Sequence, residues 1–448
     1  MESKSLLYII FIALGLIVYT KKPRFFMIYW FSARAFLFPI FLFVFMPNIS
    51  GTLGVYDLYY SQAAPLVYVM AIIMMITALK NHFLGFGKIL IPLILLVSFI
   101  IFQNIMMGFD YGALSKSIIE ILFLTIPTLT LCSTSNIRHN QSTFIKFIVF
   151  FVFIEAFFCL LNTQGVRLYT NIQDMNEWED NLISGTFPRY NHLTNFLTTY
   201  YLVFSISYYS RKNVSKSLFY IISLLLAIII LTSGARMSVI LFFFVFTSCL
   251  IFYERKNFFK IASIVVIVYI SSISLVGKYN KSDMDQSIGI ERNITGLVKL
   301  FSNKSIEDNT LSLSDMVLIS CYNDPLFGNG MANRNSSIYD FDSYPESIIK
   351  TDARLAFMFV EYGVIGCLFF IILFWGIFKT NILQSHIKDK KAWVIIIIYF
   401  IMFTLTETGV FDVNMLTILS AYALSVEDNV IVDTKNLLKT RVRSDGHQ

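Results

Sequence analysis

The sequence predicts an all-α polytopic integral membrane protein with about 13 transmembrane helices and a large outer loop between the tenth and eleventh. Three observations carry this. The 448 residues are 56% hydrophobic and only 14% charged, with a mean hydropathy of +0.67. The apolar residues fall in runs close to the roughly 20 residues that a bilayer-spanning helix needs. The basic residues sit in short clusters between alternate runs, as topology determinants do. In lipid each span must satisfy its own backbone, so the spans read as helices. The short alternating segments of a β-barrel are absent.

The runs fall at roughly 5–20, 25–45, 63–79, 89–106, 117–132, 145–161, 192–209, 218–232, 237–252, 261–276, 355–378, 393–406 and 412–426. The first, SLLYIIFIALGLIVYT, leads straight into KKPR, with no small-residue cleavage site, so no cleavable signal is expected. The second carries Arg34 mid-span, for which Glu155 or Glu120 is a partner that the sequence does not choose between. The eighth and ninth are joined by the short linker SGAR, and the eleventh follows TDAR and carries Glu361. Residues 1–276 therefore hold the first ten spans with an outer loop at 163–191. Residues 277–354 form the large loop, 355–426 the last three spans, and 427–448 a tail. Within the large loop, TLSLSDMVLISCY has apolar residues at helical spacing.

One set of loops reads KKPR, KNHFLGFGK, STSNIRHNQ, SRKNVSK, YERKNFFK and KTNILQSHIKDKK, and the tail has TKNLLKTRVR. The other set includes MPNISGTLGVYDLYYSQ and TETGVFDVN, which hold no Lys or Arg. The positive-inside rule puts the first set in the cytoplasm, with the N-terminus outside and the C-terminus inside. The net charge of +6 is thus a topology signal, and no nucleic-acid partner is expected.

Arginines on the outer face depart from that trend. Arg189 precedes the seventh span, Arg236 lies in SGAR, Arg354 opens the eleventh span, and Arg292 lies in the large loop. Each could snorkel to lipid phosphates or pair with an acid. An arginine set at membrane depth also fits an anionic, lipid-linked diphosphate, because the guanidinium fork matches phosphate oxygens. Asp352, two residues before Arg354, reads as a general base or as a salt-bridge partner. Glu361 is an intramembrane acid, more often functional than not. Of five histidines only His192 falls on the outer side, at the start of a span, where a structural role is commoner. The cysteines Cys132, Cys159, Cys249, Cys321 and Cys367 suggest neither a disulfide nor a metal site. No nucleotide-binding loop or metal cluster is present, so no cofactor and no ATP-driven pump is expected.

Four segments together carry a resemblance. SGTFPRYNHLTNFLTTYYL, LTSGARMSVI, NDPLFGNGMANRN and DARLAFMFVEYGVIGCLFF occur in this order within about 183–370. They resemble, at matching topological positions, segments of the O-antigen polymerase and ligase family. The first is similar to the family's Gly-x-Phe followed by an Asn, here Asn191; the second to its Thr-x-Ser-Arg between two spans. The third resembles its Pro-Leu-Phe-Gly-x-Gly in the long periplasmic loop; the fourth, its Glu-x-Gly run into the next span. The first 160 residues match only in hydropathy. Two departures stand out: Ala235 where the family usually has Ser, and Asp352 where ligases carry a functional His. The second favours a polymerase over a ligase.

The resemblance implies a multi-pass bacterial inner-membrane glycosyltransferase whose active site faces the periplasm. Its donor and acceptor would be undecaprenyl-diphosphate-linked glycans. Its further partners would be membrane lipids and a chain-length regulator. Asp352, Arg236 and Arg354 would be catalytic, while Arg189, Arg292, Asn191 and Glu361 would bind substrate. Three readings stay open beside it: an O-antigen ligase joining glycan to lipid A–core, a lipid-linked oligosaccharide flippase or transporter, and a structural scaffold. A flippase calls for charges along a central path, whereas the spans are nearly clean apart from Arg34, Glu155 and Glu361.

Overall fold

The structure, a computed structural model, describes residues 2–33, 37, 40–41, 73, 86–106, 111–133, 137–166, 168, 183–187, 190–255, 325–328, 354–385, 387–406 and 413–425. The predicted span at 63–79 apart from residue 73, the span at 261–276, most of the second span beyond residue 33, the tail, and most of the large loop lie outside these residues. The long elements described are all helices. They are α1 (Glu2–Lys21), α2 (Phe26–Ser32), α3 (Phe86–Met106), α4 (Tyr111–Ser133), α5 (Gln141–Thr163) and α6 (Tyr190–Tyr209). Then come α7 (Lys216–Thr232), α8 (Arg236–Tyr253), α9 (Arg354–Gln384), α10 (Lys390–Thr406) and α11 (Val413–Ala423). Among the described residues three segments, Gly87–Met106, Gln141–Thr163 and Glu361–Gln384, are long and apolar enough to cross a membrane.

The helices keep large apolar residues on their outward faces. On α5 these are Phe150, Phe153, Phe157 and Leu160, at spacings of three and four, each at least half exposed. On α9 they are Val364, Leu368, Ile371 and Trp375. Contiguous apolar faces of this size do not suit water and do suit hydrocarbon.

At the centre stands α6, in which every residue from Leu193 to Ser207 is buried. It packs against α5, α7, α8 and α11, while α3 lies along α9 and α4 along α11. Small residues allow the close α3–α9 approach. A Cβ on Gly376 would stand 2.4 Å from the Lys88 carbonyl, and one on Gly366 would meet the Phe99 ring at 2.8 Å. Contacts therefore run from 88–376 to 99–366, so the two helices are antiparallel.

Among the described residues, the basic loops after α4, α6 and α9 gather at one end of the bundle. There Arg138 donates to Gln384 Oε1 (2.7 Å), and Arg211 donates to Gln141. The Ser207 hydroxyl donates to Tyr422 Oη (2.8 Å). The Tyr253 hydroxyl donates to Asp389 Oδ2 (2.6 Å), and the Ser385 hydroxyl to the Ala423 carbonyl (2.8 Å). Burial works to raise Asp389, but hydrogen bonds from Tyr253 and the Lys391 backbone hold its carboxyl below its ordinary value. His139 is buried against the Phe144 ring, and burial pushes it down to about 3, so it stays neutral. Those groups tie the ends of α4, α6, α8, α9 and α11 to the starts of α5 and α10. The linkers after α5 and α7, and the starts of α6, α8 and α9, then lie at the other end. This alternation is the one that the loop charges predict.

Candidate functional site

The end opposite the basic loops is built around two junctions. The first joins α5, α6 and α8. Glu155, fully buried in α5, accepts from the Thr186 backbone N–H (3.0 Å) and from the Thr186 hydroxyl. Asn162, two turns further along the same face, accepts from the N–H groups of Ser184 (3.1 Å) and Gly185 (2.8 Å). Its own amide donates to the Val166 carbonyl (3.1 Å). Phe187 closes the turn, with its ring 6.4 Å from Phe151 of α5 and 5.2 Å from Phe196 of α6.

From there α6 begins at Tyr190, which is buried against Ala235. The linker between α7 and α8 explains that contact. The Ser233 N–H closes α7 on the Ile229 carbonyl (3.0 Å), and Gly234 turns the chain with φ of +84°. Ala235 is then the extended N-cap residue of α8, with no side-chain cap. The first hydrogen bond within α8 runs from the Val239 N–H to the Ala235 carbonyl (3.2 Å). The amides of Arg236, Met237 and Ser238 precede it, as at any helix start.

Below this mouth a polar ladder runs down α6. The Ser238 hydroxyl lies 2.8 Å from Thr194 Oγ1 and 3.1 Å from Asn195 Oδ1. One to two turns deeper the Tyr399 hydroxyl of α10 meets Thr198 (3.0 Å) and Thr199 (3.1 Å). These bonds fix the rotation of α8 and α10 on α6 where apolar packing alone specifies it poorly.

The second junction breaks α9. Gly363 has φ of +60° and ψ of −171°, outside the helical region. The turn Pro325–Gly328 docks into the gap. The Val364 N–H donates to the Pro325 carbonyl (3.0 Å) and the Ile365 N–H to the Leu326 carbonyl (3.1 Å). The contact is glycine on glycine: a Cβ on Gly328 would stand 2.4 Å from the Gly363 nitrogen. Gln103 of α3 pins the junction by donating to the Phe327 carbonyl (2.5 Å) and the Glu361 carbonyl (2.7 Å). Gln103→Leu takes that donor from one buried and one part-buried carbonyl, at about 1–3 kcal/mol for the buried one. We expect a clearly lower unfolding midpoint in detergent; an unchanged midpoint would remove Gln103 from this role.

The predicted site residues divide as follows. Arg236 and Arg354 are the first residues of α8 and α9. Asn191 sits in the first turn of α6, where its carbonyl accepts from the Thr194 hydroxyl (3.2 Å). Glu361 is buried, two residues before the α9 break. Arg189, Arg292 and Asp352 lie outside the described residues, as does Arg34. Two of the four family-like segments meet at the Tyr190–Ala235 contact and the other two at the Gly328–Gly363 contact. Glu155 bonds to Thr186, an arrangement that no feature of the sequence signals. The same holds for the roles of Asn162 and Gln103 and for the break at Gly363, although a lone Asn or Gln inside an apolar run is a visible signal. Among the described residues no group of three or more His, Cys, Asp or Glu could hold a metal ion. The described cysteines Cys132, Cys159, Cys249 and Cys367 are free and buried. No family model matches the chain, and no curated protein matches it.

Proposed function

We propose that this protein is a periplasmic-face glycosyltransferase of a bacterial inner membrane that polymerises undecaprenyl-diphosphate-linked oligosaccharide repeat units into O-antigen polysaccharide. In this reading the chain spans the membrane about 13 times and holds its large loop in the periplasm. The observation that carries the proposal is the Tyr190–Ala235 contact. The residue after Arg189 touches the residue before Arg236, at the end of the bundle away from the basic loops. Two arginine-bearing segments, far apart in sequence, thus share one mouth, and α8 adds the positive end of its helix dipole there.

The chemistry needs no nucleotide, because the lipid diphosphate already activates the donor sugar. An acceptor hydroxyl oxygen bonds to the anomeric carbon as the bond from that carbon to the phosphate oxygen breaks. Asp352 takes the hydroxyl proton, and undecaprenyl diphosphate leaves with the electron pair. Arg236 and Arg189 neutralise the charge that grows on the leaving group. Arg354 and Arg292 contact diphosphate or glycan, Asn191 binds the glycan at the mouth, and Glu361 binds it from the second junction. The test is deletion in the source strain followed by a lipopolysaccharide gel. Core carrying a single repeat unit is the expected pattern; a core-only band would favour a ligase or flippase and contradict the proposal.

A further inference from the structure

The transfer reaction gives no task to the acid in α5. A carboxyl buried at membrane depth is costly and calls for a reason. Here both its oxygens serve one residue, Thr186, while Asn162 serves the two amides before it. Three consecutive backbone N–H groups therefore converge on two side chains of one helix. Converging amides of this kind capture anions elsewhere. In this protein α5 itself fills them, so the turn is pinned and not left open to a ligand.

Gly185 is what makes the approach feasible. Its φ is +60°, and a Cβ there would stand 2.2 Å from Glu155 Oε2. Beyond the turn, Phe187 is clasped by Phe151 and Phe196, and Tyr190 is buried on Ala235. The chain of contact thus runs from α5 through the Ser184–Phe187 turn and Tyr190 to the backbone that begins α8 with Arg236. A diphosphate contact tolerates little misplacement: about 1 Å can cost about a hundredfold in rate.

We propose that Glu155 and Asn162 are positioning residues that, through the Ser184–Phe187 turn and Tyr190, hold the Ala235–Arg236 backbone where the lipid diphosphate binds. This rests on reading that mouth as the diphosphate site. The carboxyl serves as a paired acceptor, so its amide isostere can replace it. In Glu155→Gln the side-chain oxygen accepts the Thr186 N–H and the new amide donates to the Thr186 hydroxyl. Glu155→Leu removes both of the oxygens that accept from Thr186, at a buried place.

The test uses the full chain in nanodiscs and has two arms. Hydrogen exchange without substrate should rise in Glu155→Leu at residues 184–190 and also at 233–238, while 203–209 keeps its protection. With the lipid-linked repeat unit, Glu155→Leu should lower kcat/KM by about tenfold or more, mainly through KM, as expected when a buried pair is unmade. Glu155→Gln should stay near wild type in both arms. Unchanged exchange at 233–238, an unchanged KM, or a Gln variant as damaged as the Leu variant would each overturn the proposal. If Glu155→Leu yields no folded protein, Thr186→Val decides, and an unchanged KM there overturns it. Wild-type protein without turnover would remove the polymerase reading instead, and the exchange arm would still decide the coupling.

Discussion

Arg236→Ala is expected to erase the long-chain ladder while the protein remains in the membrane at its normal amount. Arg236 is the first residue of α8, after a glycine turn and a buried N-cap alanine. Position and chemistry then agree, since a helix N-terminus and a guanidinium both favour phosphate oxygens. Removing one well-placed donor to developing charge costs about a hundredfold to a thousandfold in rate. Arg236→Lys keeps the charge and loses the fork, so a partial ladder of shorter chains is expected. The check is an immunoblot for protein level beside the lipopolysaccharide gel. An undiminished ladder in Arg236→Ala would take Arg236 out of the mechanism.

Gly363→Ala should damage folding and elongation together. The residue lies at φ of +60° and ψ of −171°, a region essentially restricted to glycine, where other residues lose about 1–3 kcal/mol. Space is short as well: the added Cβ would stand 2.5 Å from the Leu326 carbonyl oxygen and 2.5 Å from the Gly328 nitrogen. Both partners are backbone, so neither can rotate away. Undocking the Pro325–Gly328 turn would leave the Val364 and Ile365 amides without acceptors inside the bundle. Gly87→Ala is the control, because a Cβ there meets only the Ile91 side chain, at 3.9 Å. The unfolding midpoint in detergent should fall for Gly363→Ala and hold for Gly87→Ala. Equal midpoints would show that the break does not depend on glycine.

Hydropathy and loop charge made the helices legible because each acts within one segment. The predicted spans at 89–106, 145–161, 192–209, 218–232 and 237–252 match α3 and α5–α8 to within a few residues. The eleventh span, read as continuous over 355–378, has a break at Gly363 and runs to Gln384. A glycine in an apolar run announces nothing by itself. Its meaning comes from the Pro325–Gly328 turn, which is distant in sequence. The same holds for Gln103 and Asn162, whose partners are backbone groups of other segments and leave no pattern in composition.

Ala235 shows the opposite case. As a departure from a family-like pattern it had no explanation in the sequence. In the fold it is a helix N-cap pressed against Tyr190, so a small apolar side chain fits where a serine would bring a hydroxyl. Charge was readable at the level of a face and no finer. The arginines that the loop charges predict for the outer face stand out against the topology rule, and the contact that draws two of their segments together needs the packing of α6 on α8.

The most direct test is chain growth by the purified protein in nanodiscs with undecaprenyl-diphosphate-linked repeat units as the sole substrate. The expected result is a ladder of products, with one undecaprenyl diphosphate released for each repeat added and no nucleotide required. Intact protein that forms no product longer than one repeat, or that transfers glycan only when lipid A–core is supplied, would contradict it.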